Sequence, residues 1–142
     1  MNGRVVVDAS LAVKWLVREA DSGEALALAR SWAANGVTPA APYLMPVEVG
    51  NALHRRVVRG ELPLTEAARL IESMLASDIE LLETAGLHSR ALELASQLDQ
   101  GAVYDAHYLA LADALGCDLW TADERFYRAA RPSVDNVRWV GE

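Results

Sequence analysis

Short apolar runs alternate with longer Ala- and Leu-rich stretches from one end of the chain to the other, and no other feature constrains the fold as strongly. The runs are Arg4 to Val7, Val37 to Pro42, Ile79 to Leu82, Asp118 to Thr121 and Val137 to Val140. Each is too short for a helix and nearly continuous in apolar character, the pattern of a strand covered on both faces. Between them the periodicity predicts helices over Ser10 to Val17, Ser22 to Asn35, Leu44 to about Arg59, Glu66 to Ala76, Leu87 to Leu98, Ala102 to Leu115 and Glu124 to Ala130. Gly36, Gly60 and Gly116 stop three of these, and Pro46 falls in the first turn of the helix that Gly60 ends. Strands that alternate with helices in this way predict an α/β fold, a three-layer α/β/α arrangement around a short parallel sheet of about five strands.

The chain has 142 residues without a break in composition, so residues 1–142 are expected to form one domain. At 52% apolar and 23% charged residues it lies far from the composition of a disordered chain. The single cysteine, Cys117, excludes a disulfide scaffold and a Cys-rich zinc site, and points to a reducing compartment, the cytoplasm. No uncharged apolar run approaches the roughly 20 residues that span a bilayer, so no membrane association is expected. Net charge is −7, and the thirteen bases include one lysine, Lys14. A general polybasic coat for nucleic acid is therefore absent, although Arg55, Arg56 and Arg59 form one local group and Arg125, Arg128 and Arg131 another.

In open parallel sheets chemistry sits beyond the carboxyl ends of the strands, and the residues there are acids. Asp8 follows the first strand and Asp123 follows the strand that ends at Thr121. Either could be a helix N-cap or a site carboxylate, and each has a hydroxyl two residues away, Ser10 and Thr121. In the helix from Leu44, the residues Met45, Val49, Ala52, Leu53 and Val57 make an apolar arc, while Glu48, Asn51 and Arg55 stack on the opposite side. Asp105 shares a core-facing stripe with Tyr108, Leu109, Ala112 and Leu115, where a bare carboxylate is expensive to desolvate. The four acids come from four separate places in the chain, and no lysine is near any of them. Mutual repulsion would raise their pKa values unless a hard cation neutralised them, and oxygen-only ligation suits Mg²⁺ or Mn²⁺. His54, His88 and His107 are not spaced as a paired ligand set and read as surface or partly buried residues.

The segments Val-Val-Asp8-Ala-Ser10, Glu48-Val-Gly-Asn51-Ala-Leu, Tyr104-Asp105-Ala-His-Tyr-Leu-Ala-Leu-Ala and Leu119-Trp-Thr121-Ala-Asp123 resemble the PIN-domain nucleases, most closely the VapC toxins of prokaryotic toxin–antitoxin pairs. Four motifs in order cover nearly the whole chain. The resemblance implies a metal site of Asp8, Glu48, Asp105 and Asp123, supported by Ser10, Asn51 and Thr121. It also implies a Mg²⁺-dependent endoribonuclease, with Mn²⁺ as a substitute, that hydrolyses RNA by metal-activated water. A homodimer and inhibition by a VapB-like antitoxin whose tail enters the cleft belong to the same expectation. Arg55 is the best candidate to hold a substrate phosphate, because it stacks on the Glu48 and Asn51 face.

Other classes fit less well. A receiver domain would need an adjacent acid pair and a late lysine, and a dinucleotide-binding module would need Gly-x-Gly-x-x-Gly where Asp8-Ala-Ser-Leu-Ala-Val stands. The serious alternative is a non-catalytic PIN-like module that holds RNA or a protein through the same surface.

Overall fold

A computed structural model describes residues 3–142. Met1 and Asn2, which open the expected 1–142 domain, lie outside the described residues. The elements follow the order β1 (Gly3–Val7), α1 (Ala9–Leu16), α2 (Ser22–Ala34), β2 (Val37–Ala41), α3 (Met45–Val58), α4 (Leu64–Leu75), β3 (Glu80–Leu81), α5 (Leu87–Gln97), α6 (Tyr104–Leu115), β4 (Leu119–Thr121), α7 (Glu124–Ala130) and β5 (Val137–Trp139). The sheet has five strands in the order β3-β2-β1-β4-β5, and every pairing is parallel.

β1 lies at the centre, with Val6 opposite Ala40 on one side and Leu119 on the other. Val6 and Val7 are wholly buried, as an apolar run covered on both faces must be. The chain steps from β1 outward to β2 and β3, then crosses back to β4 and β5. Right-handed crossovers therefore place α1 to α4 on one face and α5 to α7 on the other, which makes the three layers. In keeping with this, α1 packs on α2 and α3, α3 packs on α4, and α5 packs on α6.

Between β1 and β4 the connections depart in opposite directions, which opens a crevice at their carboxyl ends. That crevice is where the acids were expected.

Most element boundaries shift from expectation by one or two residues, and two of the shifts have a clear cause. The third strand shrinks from Ile79 to Leu82 to Glu80–Leu81, because it is an edge strand with β2 as its one neighbour, although the Leu82 amide still donates to the Ala41 carbonyl at 2.8 Å. α6 begins at Tyr104 rather than Ala102, since the turn that reverses the chain after α5, with Asp99 at φ 55°, takes up the residues before it. The apolar arc of α3 and the Leu70, Met74 and Leu75 region of α4 are expected to serve mostly this chain's own core, with some surface left for a second copy. Met45, Val49, Leu53, Leu70 and Met74 are buried within this chain, and its own core uses them, whereas Leu75 is 49% exposed.

Candidate active site

Asp8 ends β1 and caps α1. Its Oδ1 accepts the Leu11 amide at 3.0 Å and the Ser10 hydroxyl at 2.6 Å, and its Oδ2 accepts the Thr121 hydroxyl. Ser10 Oγ in turn accepts the Ala122 amide at 3.0 Å, and Thr121 Oγ1 accepts the Asp123 amide at 3.0 Å. Two hydroxyls thus lace the end of β1 to the end of β4 while both donate to one carboxylate. Asp123 caps α7, its Oδ1 accepting the Phe126 amide at 3.1 Å. Capping and a place at the site prove compatible, because a cap uses part of a carboxylate's four acceptor positions.

Glu48 stands in the first turn of α3 and Asp105 in the first turn of α6, where helix amides favour negative charge. The four acids line one cleft of about 640 Å³, together with Ser10, Asn51, Arg55, Tyr104 and Tyr108. Thr121 is wholly buried beneath it and reaches the cleft through Asp8.

The electrostatics are those of four acids held together with Arg55 as the one basic residue lining their cleft. Burial pushes Asp8 up from 3.8 to about 6, outweighing its bonds from Ser10, Thr121 and Leu11, with a further push from Asp105. Asp105 rises from 3.8 to about 6 through burial first, then through the charges of Glu48 and Asp123. Tyr108 donates its hydroxyl to Glu48 Oε1 at 2.6 Å. Burial, then that bond and the charges of Glu48, Asp8 and Asp105, hold its pKa far above the ordinary phenol range, so it stays a neutral donor.

Tyr108, like Tyr104, is a residue at the site that sequence reasoning passed over. Its place three residues after Asp105 marked it as core, and a buried tyrosine needs a hydroxyl partner, but nothing local in the sequence names Glu48 as that partner.

Several other candidates lie elsewhere. Arg56 pairs with Glu19 and Arg59 with Glu61, so only Arg55 of that group lines the cleft. Arg128 pairs with Glu124 at 2.6 Å on an exposed face, and neither residue lines the cleft. Arg131 lines a different cavity beside Arg90 and Asp113. His88 and His107, far apart in sequence, meet at 3.0 Å across α5 and α6, with Glu83 on the other nitrogen of His88. The pair lies outside the cleft, and the three histidines are exposed or partly buried, as expected.

Among the described residues no three His, Cys, Asp or Glu close into a metal cage. The donor set nevertheless fits a hard cation. Mg²⁺ keeps several of its waters and binds through one or two carboxylates and substrate phosphates rather than an all-protein cage, and the open, oxygen-only cleft offers such donors.

Comparison with known proteins identifies the family of the chain. Residues 5–132 match the family model of the PIN domain. VapC ribonuclease Mb0985 of Mycobacterium bovis is 31% identical over 121 residues, which cover 85% of this chain and 87% of that protein. PAE2754 of Pyrobaculum aerophilum superposes with a TM-score of 0.71 at 23% identity, covering 99% of this chain and 93% of its own. VapBC2 of Rickettsia felis, solved with a DNA fragment from its promoter, gives a TM-score of 0.68 at 16% identity over 96% of this chain and 98% of the other.

Proposed function

This chain belongs to the PIN domain family, in its VapC branch, and from that premise we propose that it is a divalent-metal-dependent endoribonuclease toxin that hydrolyses RNA phosphodiester bonds. In this reading Asp8, Glu48, Asp105 and Asp123 hold the cation, Mg²⁺ with Mn²⁺ as a substitute, and residues 1–142 act as one nuclease domain. The observation that supports it best is the convergence of four acids from separate elements on one cleft at the switch point of the sheet, two of them with pKa values pushed up to about 6. Such clusters of perturbed acids are characteristic of sites where chemistry is done.

Bound there, a cation would lower the pKa of a water and offset charge on phosphate oxygens. The protein's own groups do the rest. Ser10 and Thr121 hold Asp8 in one orientation through its two oxygens. Arg55 stands on the Glu48 wall of the cleft, where its guanidinium fork can take a phosphate of the RNA backbone, and Asn51 adds a neutral polar group between them. Likeness to a VapBC assembly supports a VapB-like antitoxin as partner, and the family reading adds a homodimer that works in the cytoplasm, where its RNA substrates lie.

The test is incubation of the purified protein with a pool of structured RNAs in Mg²⁺, in Mn²⁺ and in chelator, followed by mapping of the cut ends. Cuts are expected with either metal, none with chelator, and none from Asp8→Asn or Asp105→Asn. RNA that is retained but never cut would favour the non-catalytic binding module, and undiminished cutting by both variants would remove these acids from the reaction.

A further inference from the structure

We propose that Tyr108 is a positioning residue for Glu48: its hydroxyl occupies Oε1, so that Glu48 offers its other oxygen to a divalent cation in the cleft. The inference rests on the metal-site reading above and concerns how that site is built.

Tyr108 is 1% exposed, its ring packed in the core among residues of α6, yet its hydroxyl reaches an acid on α3 sixty positions earlier at 2.6 Å. A buried phenol must find an acceptor, and most tyrosines could satisfy that need with a backbone carbonyl. This one meets a carboxylate instead, and it lines the same cleft as the acids.

Glu48 needs such a partner. Asp8 is short and held by three donors, whereas Glu48 has a longer, freely rotating side chain near the start of an otherwise surface-facing stripe. Among the described residues Tyr108 is the one side chain that donates to it. α6 therefore supplies two things from one face: Asp105 as a site acid and, one turn later, the donor that orients an acid on another helix. A carboxylate with one oxygen tied to a rigid ring presents the second in a defined direction, which is what partners of metal ligands do elsewhere, with losses of roughly 10- to 100-fold in metal affinity when they are removed.

Mn²⁺ alone is the probe, titrated calorimetrically into the parent, Tyr108→Phe, Glu48→Ala and the double variant. Phe keeps the ring and removes only the hydroxyl. Its Kd for Mn²⁺ is expected to rise about tenfold, with no added loss when Glu48 is already Ala. A merely structural tyrosine would lower the metal-free melting temperature and leave the Kd alone. Should Tyr108→Phe fold poorly, Glu48→Asp serves instead, since it keeps the charge but withdraws the carboxylate from the hydroxyl by one methylene, and Mn²⁺ binding is again expected to weaken. Parent-like binding by the variant used, or an equal loss from Tyr108→Phe in the Glu48→Ala background, overturns the inference alone. A parent that binds no Mn²⁺ overturns the metal-site reading and the inference with it.

Discussion

Asp8 is 4% exposed and accepts three hydrogen bonds, yet its pKa rises to about 6, so the desolvation of its charge exceeds what Ser10, Thr121 and Leu11 return. With the folded value above the ordinary 3.8, the folded state binds the extra proton, and stability falls as pH rises through the window from 3.8 to about 6. Above it, the charge costs up to about 3 kcal/mol, from roughly two pKa units. Asp105 acts in the same direction, less strongly because it is only half buried. Asp8→Asn is therefore expected to abolish RNA cleavage while raising the melting temperature in chelator, with a larger gain at pH 7.5 than at pH 5. An Asn amide can still accept the Leu11 cap bond and donate to a hydroxyl that rotates, so the fold should survive. A gain of equal size at the two pH values would show that the charge is not what destabilises the parent. The four acids were legible in the sequence because each stands just after a strand or in a first helical turn, where position alone hints at a shared edge. Tyr108 was not legible, because a hydroxyl's partner across the core is decided by how α6 lies against α3, and no local pattern encodes that.

At the scale of elements, the three arginines near the end of α3 divide by helix face. Arg55 follows Glu48 and Asn51 into the cleft, whereas Arg56, one position on, turns toward Glu19. Glu19 also receives Lys14 at 3.4 Å, and Lys14 reaches Asp21 at 2.7 Å, so a half-buried ion network ties the end of α1 and the start of α2 to α3. Removing Arg56 leaves Glu19 with Lys14 alone, and Arg56→Ala is expected to lower stability by about 1–2 kcal/mol while sparing RNA affinity. Arg55→Ala should do the reverse. In an Asp8→Asn background, where binding is seen without cleavage, it should weaken RNA binding across sequences and flatten the salt dependence by about one unit of slope, with stability changed by less than about 0.5 kcal/mol. Chemical denaturation and a salt titration of RNA binding separate the two. An Arg55→Ala variant with the parent's affinity and slope would place the substrate path elsewhere. The wheel of α3 distinguished these faces from sequence alone, because helical periodicity is local. The role of Arg56 was hidden, since Glu19 lies in the loop between α1 and α2 and comes to α3 only through the packing of three helices.

For the whole molecule, what the core leaves over matters more than what it buries. Periodicity marked Met45, Val49 and Leu53 as an apolar arc but could not say whether it would meet the chain's own α1 and α4 or a second copy, and the fold resolves this in favour of the chain itself. The apolar surface that remains is different: Val47 is 69% exposed, Val58 and Leu64 are each 71% exposed, and Leu75 is 49% exposed. Val58 and Leu64 stand at the two ends of the short turn between α3 and α4, and Val47 lies on the same side of α3 as Val58, three helical turns away. Val47 borders the acid cleft, whereas Val58 and Leu64 lie away from it and offer aliphatic surface of the kind that a partner covers. If that partner is a second copy joined by twofold symmetry, each substitution acts twice at the interface. Val58→Asp and Leu64→Asp are then expected to convert a dimer into a monomer in sedimentation velocity at micromolar concentration. Their melting curves should lose any dependence on protein concentration, while Mn²⁺ affinity stays that of the parent because neither residue lines the acid cleft. A parent that sediments as a monomer removes the homodimer, and a parent dimer indifferent to both substitutions places its interface on another face.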